Sequence, residues 1–231
     1  MKDLRYLVFK DRFLLYSYLA LKEHFNSYQE LVSYFNSIQN DEQKNLFLKT
    51  ASFYLSLVKQ GDWHVDIPES DSIVEYLTNT YKYIAIFSLI ESLNAGSYID
   101  FYSFLVRRKA KIKFPIHDKN ELKCQYGRYK EEFGSIQRCL SFFKSLSPER
   151  QKSLVDKLEV KNTEPTIENL AKYLYDLRCK FVHEAELVLE MSEAAFVGRT
   201  KNKMVICRLS IQDIMRFFEE GLIVHFQSRE T

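Results

Sequence analysis

Glycine and proline are scarce in this chain, six and four in 231 residues. So few turn-formers exclude a turn-rich all-β fold and leave long helices as the expectation. Cysteine is sparse too: Cys124, Cys139, Cys179 and Cys207 stand far apart with no Cys-x-x-Cys pair. That spacing argues against a disulfide framework or a zinc site and fits reduced thiols in the cytosol. Charge of one sign is also missing. Thirty-three basic against 31 acidic residues give a formal net charge of +2, and the pI is about 8.2. Any polyanion-binding surface must therefore come from local clustering.

Long apolar runs are absent. The most apolar stretch, Ile84-Ala-Ile-Phe-Ser-Leu-Ile90, is far too short to span a bilayer. The opening Met-Lys-Asp-Leu-Arg lacks a signal-peptide apolar region, so a cytoplasmic location is expected. His24, His64, His117 and His225 are scattered with no His-x-x-x-His or Glu-x-x-His spacing, so no metal site is expected. Gly-x-Gly-x-x-Gly, Walker and Gly-x-Ser-x-Gly sequences are missing, which leaves nucleotide hydrolysis and serine hydrolysis unsupported and implies no cofactor.

What the chain has in quantity is aromatic residues, 18 Phe and 15 Tyr, within a hydrophobic fraction of 46%. The length suits one domain, or a core with an N-terminal extension. Residues 1–70 read as a helical extension that packs on a helical domain of residues 71–231. From Phe9 to Ile38 apolar residues recur at helical spacing (Leu14, Tyr18, Leu21, Phe25), as one long helix or two shorter ones. A helix from Asp41, as N-cap, to about Lys59 follows, and Gly61-Asp62 stops it. The stretch from Gly61 to Asp71, with Trp63, His64 and Pro68, reads as a linker. Further helices are expected from Ser70 or Asp71 to Leu93, ended by Asn94-Ala-Gly96, and from Ser97 to Ala110. A loop over Lys111–Lys119 leads to helices at Glu121–Leu146 and Pro148–Leu158, the latter capped by Ser147. Thr166 begins the next helix. Glu186–Glu190 and Ala194–Val197 suggest extended segments, and Lys203–Leu209 a strand, with Arg199–Lys203 as a hairpin turn. Ser210 caps a last helix towards Phe226. The fold class is thus mainly α with a small C-terminal β-hairpin.

The helix after Thr166 holds the most specific chemistry. At about 100° per residue, Leu170, Tyr173, Leu174, Leu177 and Phe181 make a core face. Ala171, Tyr175, Cys179 and Val182 make a second apolar stripe, which must pack on something else and suits a dimer interface. Arg178 and His183 lie about 140° apart on that helix and flank the second stripe. Two copies meeting along it would bring two arginines and two histidines to one cleft. That set suits RNA cleavage without a metal. Histidine moves the proton of the ribose 2′-hydroxyl or of the leaving 5′-oxygen, and arginine holds the phosphate. The plainer reading is that both are cations suited to a helix C-terminus.

The run Leu174-Tyr-Asp-Leu-Arg-Cys-Lys-Phe-Val-His-Glu-Ala-Glu-Leu187 resembles the signature of the HEPN superfamily, closest to its Apea-like branch. The resemblance implies a dimerising helical bundle. It also implies a metal-independent endoribonuclease of toxin–antitoxin or other defence type, with a possible antitoxin or other partner protein and with Arg178 and His183 catalytic. Ile90-Glu91-Ser-Leu93 is similar to the acidic stretch that such proteins carry on an early helix, which adds Glu91 as a third candidate beside its reading as a structural acid. Active members usually carry a polar residue directly after the arginine, where this chain has Cys179. The alternative reading is a non-catalytic module of the same fold that binds RNA or protein. The densest basic cluster is Arg107, Arg108, Lys109, Lys111 and Lys113, which reads as a phosphate-binding strip for RNA or as a solvated helix end.

Overall fold

Polar caps and apolar spacing set the helices. The computed structural model describes residues 4–62, 71–93, 99–107, 112, 116–161, 164–184, 196–200 and 203–227. The N-terminal helices are α1 (Arg5–Val8), α2 (Lys10–Leu21), α3 (Tyr28–Ser37) and α4 (Asp41–Tyr54). The expected stretch from Phe9 to Ile38 is therefore two helices. They are separated where Ser27 turns extended and accepts the Glu30 N–H. The cap of α4 is Asn40, not Asp41: its backbone is extended and its side chain accepts from the Gln43 N–H at 2.9 Å. Asp41 instead sits in the first turn, where a carboxylate suits the helix dipole. Helix α4 runs on into a π-helical turn, Leu55–Lys59, closed by the Gln60 N–H on the Leu55 carbonyl five residues back.

Next come α5 (Asp71–Leu93), α6 (Phe101–Arg107), α7 (Lys119–Phe133), α8 (Ser135–Ser145), α9 (Pro148–Val155) and α10 (Ile167–Glu184). The single helix expected over Glu121–Leu146 is broken at Gly134. A Cβ there would lie 2.3 Å from the Lys130 carbonyl oxygen, so the tight junction of α7 and α8 needs glycine. Ser147 caps α9 with Pro148 in the first turn, as expected. The expected end of that helix at Leu158 gives way to a strand, β1 (Leu158–Val160), because its backbone is wanted elsewhere. It pairs antiparallel with β3 (Lys203–Cys207), which also pairs with β2 (Phe196–Thr200). The expected hairpin is thus extended to a three-stranded sheet in the order β1-β3-β2. Expectations over the linker from Trp63 to Ser70, the Asn94-Ala-Gly96 stop and Glu186–Glu190 fall outside the described residues. Helix α11 (Ile211–Phe226) closes the chain behind a capping box of Ser210 and Asp213.

Helix α11 packs against α4, α5 and α8. Its Ile214, Phe217, Phe218 and Leu222 are fully buried. Phe218 meets Tyr54 of α4 at 4.8 Å between ring centres, Phe217 meets Phe143 of α8 at 4.7 Å, and Phe226 meets Phe47 of α4 at 5.6 Å. One apolar cluster therefore runs unbroken from Leu14 in α2 to Phe226 in α11. Alpha8 approaches α11 so closely at Gly221 that a Cβ would lie 2.2 Å from Phe142 Cζ. Burial pushes the thiols of Cys139 and Cys207 up, the latter to about 11, so neither is a ready nucleophile near neutral pH.

A carboxylate is buried inside this apolar assembly. Glu219 of α11 accepts the Tyr54 hydroxyl at 2.6 Å and lies 2.8 Å from His24 Nε2 and 3.0 Å from Lys59 Nζ. Burial pushes its carboxyl up. The hydrogen bonds from His24, Tyr54 and Lys59, with the charge of Lys59, more than reverse that and leave it below the ordinary 4.5. The π-helical turn is what delivers Lys59 to this point. Among the described residues no helix is long and apolar enough to cross a membrane.

Two outcomes follow from this packing. Gly221→Ala is expected to destabilise by about 1–3 kcal/mol, because overpacking at Phe142 outweighs the helix propensity gained; a denaturant midpoint checks it. Glu219→Gln is expected to cost about 3 kcal/mol at pH 7, because it takes the nearer carboxylate from the largely buried Lys59 and leaves it only Glu23 at 3.9 Å. A depressed carboxylate stabilises above its ordinary pKa and loses that contribution as the pH falls through its folded value. The gap between wild type and Glu219→Gln, read by urea unfolding, should therefore narrow below the ordinary 4.5.

Candidate functional site

Three contacts seat α10 on α5. The rings of Tyr81 and Phe181 meet edge to face at 5.7 Å. The buried Tyr83 hydroxyl donates to the Leu174 carbonyl. At the far end of α5, Glu91 Oε1 lies 3.5 Å from Arg178 Nη2. The structure thus brings together two of the three catalytic candidates, which stand far apart in sequence. The pair is mostly covered, with side-chain exposures of 17% for Arg178 and 21% for Glu91.

Two residues that the sequence did not single out complete this cluster. Arg138 of α8 donates to the Glu91 backbone carbonyl at 3.4 Å, filling one of the open carbonyls in the last turn of α5. Ser135 of α8 hydrogen-bonds the phenol of Tyr175, and the Arg178 guanidinium lies 5.8 Å from the Tyr175 ring centre. Neither Arg138 nor Ser135 carries a sequence signal, since only the packing of α8 beside α5 and α10 gives them their neighbours. Two guanidiniums against one carboxylate leave the cluster with an excess positive charge. Its hydrogen bonding is incomplete: Arg178 Nε and Glu91 Oε1 are covered yet have no hydrogen-bond partner. An unpaired donor of this kind calls for an account, and an anion that draws Arg178 outward is one.

Burial pushes the Glu91 carboxyl above its ordinary value, and the nearby charges of Arg178 and Arg138 pull part of the way back. His183 lies in the last turn of α10, exposed, about 7.5 Å further along the helix axis than Arg178. It is not part of the Glu91 cluster. It faces solvent, where a substrate or a second copy could reach it, and its position at the helix C-terminus also suits a cation.

The second stripe of α10 divides in two. Ala171 is fully buried under α8, with its carbonyl oxygen 4.0 Å from Cys139 Sγ, and Tyr175 is half-buried against the same helix. Within one chain, α8 therefore covers that part. Cys179 is half-buried and Val182 is 47% exposed, so only this end of the stripe remains open to a second copy. Of the basic cluster, Arg107 is exposed at the end of α6, and Arg108, Lys109, Lys111 and Lys113 lie outside the described residues. Among the described residues, no three His, Cys, Asp or Glu side chains group so as to hold a metal ion.

No protein-family model matches the chain, and no curated protein or solved structure does either. The chemistry of the site rests on its own geometry.

A carboxylate whose folded pKa is raised loses its contribution to stability as the pH rises from the ordinary 4.5 through its folded value, the opposite sense to Glu219. Glu91→Gln carries no charge at any pH. It is therefore expected to gain on the wild type between pH 4 and 7, because the wild-type carboxyl must ionise where burial disfavours its charge. Urea unfolding at the two pH values checks this; a variant that instead loses ground to the wild type as the pH rises would mean that Arg178 dominates the site.

Proposed function

We propose that this chain is a HEPN-like, metal-independent endoribonuclease of the toxin or defence type, acting as a homodimer. The observation that carries the reading is the meeting of Glu91 with Arg178. The resemblance made each of them a candidate from distant parts of the sequence, Glu91 the weaker, and they lie 3.5 Å apart. The excess positive charge of Arg138 and Arg178 over Glu91 supports a phosphate substrate. The exposure of His183 supports a role in proton transfer.

In the proposed reaction, the His183 imidazole of one copy takes the proton of a ribose 2′-hydroxyl. The freed oxygen attacks the adjacent phosphorus, and the bond from phosphorus to the 5′-oxygen breaks. The protonated His183 of the second copy returns a proton to that leaving oxygen, which becomes a free 5′-hydroxyl. The other product ends in a 2′,3′-cyclic phosphate. Arg178, with Glu91 and the Tyr175 ring setting its direction, neutralises the charge gathering on the phosphorane oxygens. The open end of the α10 stripe, at Cys179 and Val182, is where two copies would meet to supply both histidines.

The test is cleavage of mixed RNA in the presence of EDTA. Wild-type protein is expected to leave 2′,3′-cyclic phosphate ends, and His183→Ala to be slower by roughly 10²–10⁴-fold. Cleavage by His183→Ala at the wild-type rate would remove His183 from the site. No cleavage by either protein would favour the non-catalytic module of the same fold, a reading that Cys179 beside Arg178 and the covered position of the pair also support.

A further inference from the structure

Helix α7 has two distinct faces. At about 100° per residue, Tyr129 and Phe133 share a seam, and that seam packs on α6. Tyr129 lies 5.4 Å from Phe101 and 5.6 Å from Phe104 between ring centres, and Phe133 lies 5.9 Å from Phe104. Beside the seam, Lys119, Lys123, Tyr126 and Lys130 fall within an arc of roughly 60°. Glu121, Glu131 and Glu132 lie at least about 80° outside that arc. The acids of α7 are thus segregated from its lysines.

The lysine face is open. Lys119, Lys123 and Lys130 are exposed, and among the described residues none of them enters an ion pair. Tyr126 is 43% exposed; Phe101 meets it at 5.2 Å, Tyr129 lies nearly parallel at 6.2 Å, and the flexible Lys130 side chain stands over its ring with Nζ 4.4 Å from the centre. At Gly127, on the border of the arc, nothing lies within 4 Å of where a Cβ would stand. The helix packed against α7 ends at Arg107, where the run Arg107-Arg-Lys-Ala-Lys-Ile-Lys113 begins, with five cations and no acid.

Ammonium groups beside a half-exposed ring, one of them on a side chain that can swing off the ring to meet a phosphate, select one kind of ligand. Phosphates pair with the lysines, and an unpaired base stacks on the tyrosine. A duplex keeps its base faces hidden, and an acidic protein surface would use the charges but leave the ring idle. From Lys119 to Lys130 the face runs about 17 Å along the helix, enough for several nucleotides. We propose that this face of α7 binds single-stranded RNA. The proposal names the form of substrate for the nuclease reading above and rests on that reading for the choice of RNA.

Binding is separable from cleavage. The full-length His183→Ala protein is titrated against a fluorescein-labelled single-stranded RNA of about 12 nucleotides and against the same strand annealed to its complement, with anisotropy as the readout. The single strand is expected to bind more tightly than the duplex. Replacing Lys119, Lys123 and Lys130 with alanine should flatten the slope of log affinity against log salt by about 2. Tyr126→Ala should weaken binding roughly tenfold to a hundredfold, while Tyr126→Phe, which keeps the π face, should bind as before. Three results would overturn the proposal: no binding of the single strand, equal binding of the duplex, or affinity untouched by both the lysine and the Tyr126→Ala replacements. The nuclease reading fails by a different result, the absence of cleavage by either wild type or His183→Ala.

Discussion

The N-terminal helices and the last helix meet around one buried carboxylate. Glu219 is 2% exposed in the middle of a phenylalanine-rich helix. A charge placed there without partners would cost more than a domain of this size can spare. Its partners come from two N-terminal segments: His24 after α2, and Tyr54 with Lys59 on the helix that runs from α4 into the π-helical turn. The carboxylate therefore demands that α2, α4 and α11 meet in one arrangement. The aromatic contacts of Phe47 and Tyr54 with Phe226 and Phe218 fill the space around it.

The same logic, in looser form, operates at the α5–α10 crossing. Tyr83 spends its hydroxyl on a backbone carbonyl of α10, which fixes how that helix lies on α5. Glu91 and Arg178 are then close enough to attract each other but not to form a complete hydrogen-bond set. The contrast with Glu219 is chemical. Glu219 has every bond it needs and sits below the ordinary carboxylate range, whereas Glu91 is left above it with too few partners. A fully met carboxylate holds a fold together; a partly met one beside two arginines suits an anion that comes and goes.

Much of the local structure could be read from residue types. Ser147-Pro148 and Ser210 announce the starts of α9 and α11, because a side-chain oxygen and a proline meet the needs of a helix N-terminus whatever surrounds it. Other boundaries were hidden. The break at Gly134 comes from how α7 must turn to reach α8. Leu158 leaves its helical pattern because β3 offers it a ladder. The motif on α10 was legible as spacing, and Glu91 entered as a candidate only through the resemblance; that Arg178 meets Glu91 came from the fold alone. Arg138 and Ser135 could not be found at all, since nothing in the sequence of α8 says which helix it lies beside.

The sequence by itself determined a mainly helical chain with a C-terminal hairpin, an amphipathic α10, and the candidates Arg178 and His183 on it. These follow from local rules: scarce glycine and proline, apolar periodicity, and capping residues. Tertiary structure decided that Ala171 and Tyr175 are taken by α8, that β1 joins the hairpin, that Arg178 is shared with Glu91 while His183 stands free of that cluster, and that Glu219 binds the N-terminal helices to α11. Those outcomes depend on which apolar faces bury one another. Burial is non-directional and gathers residues from every part of the chain, so no local pattern encodes it.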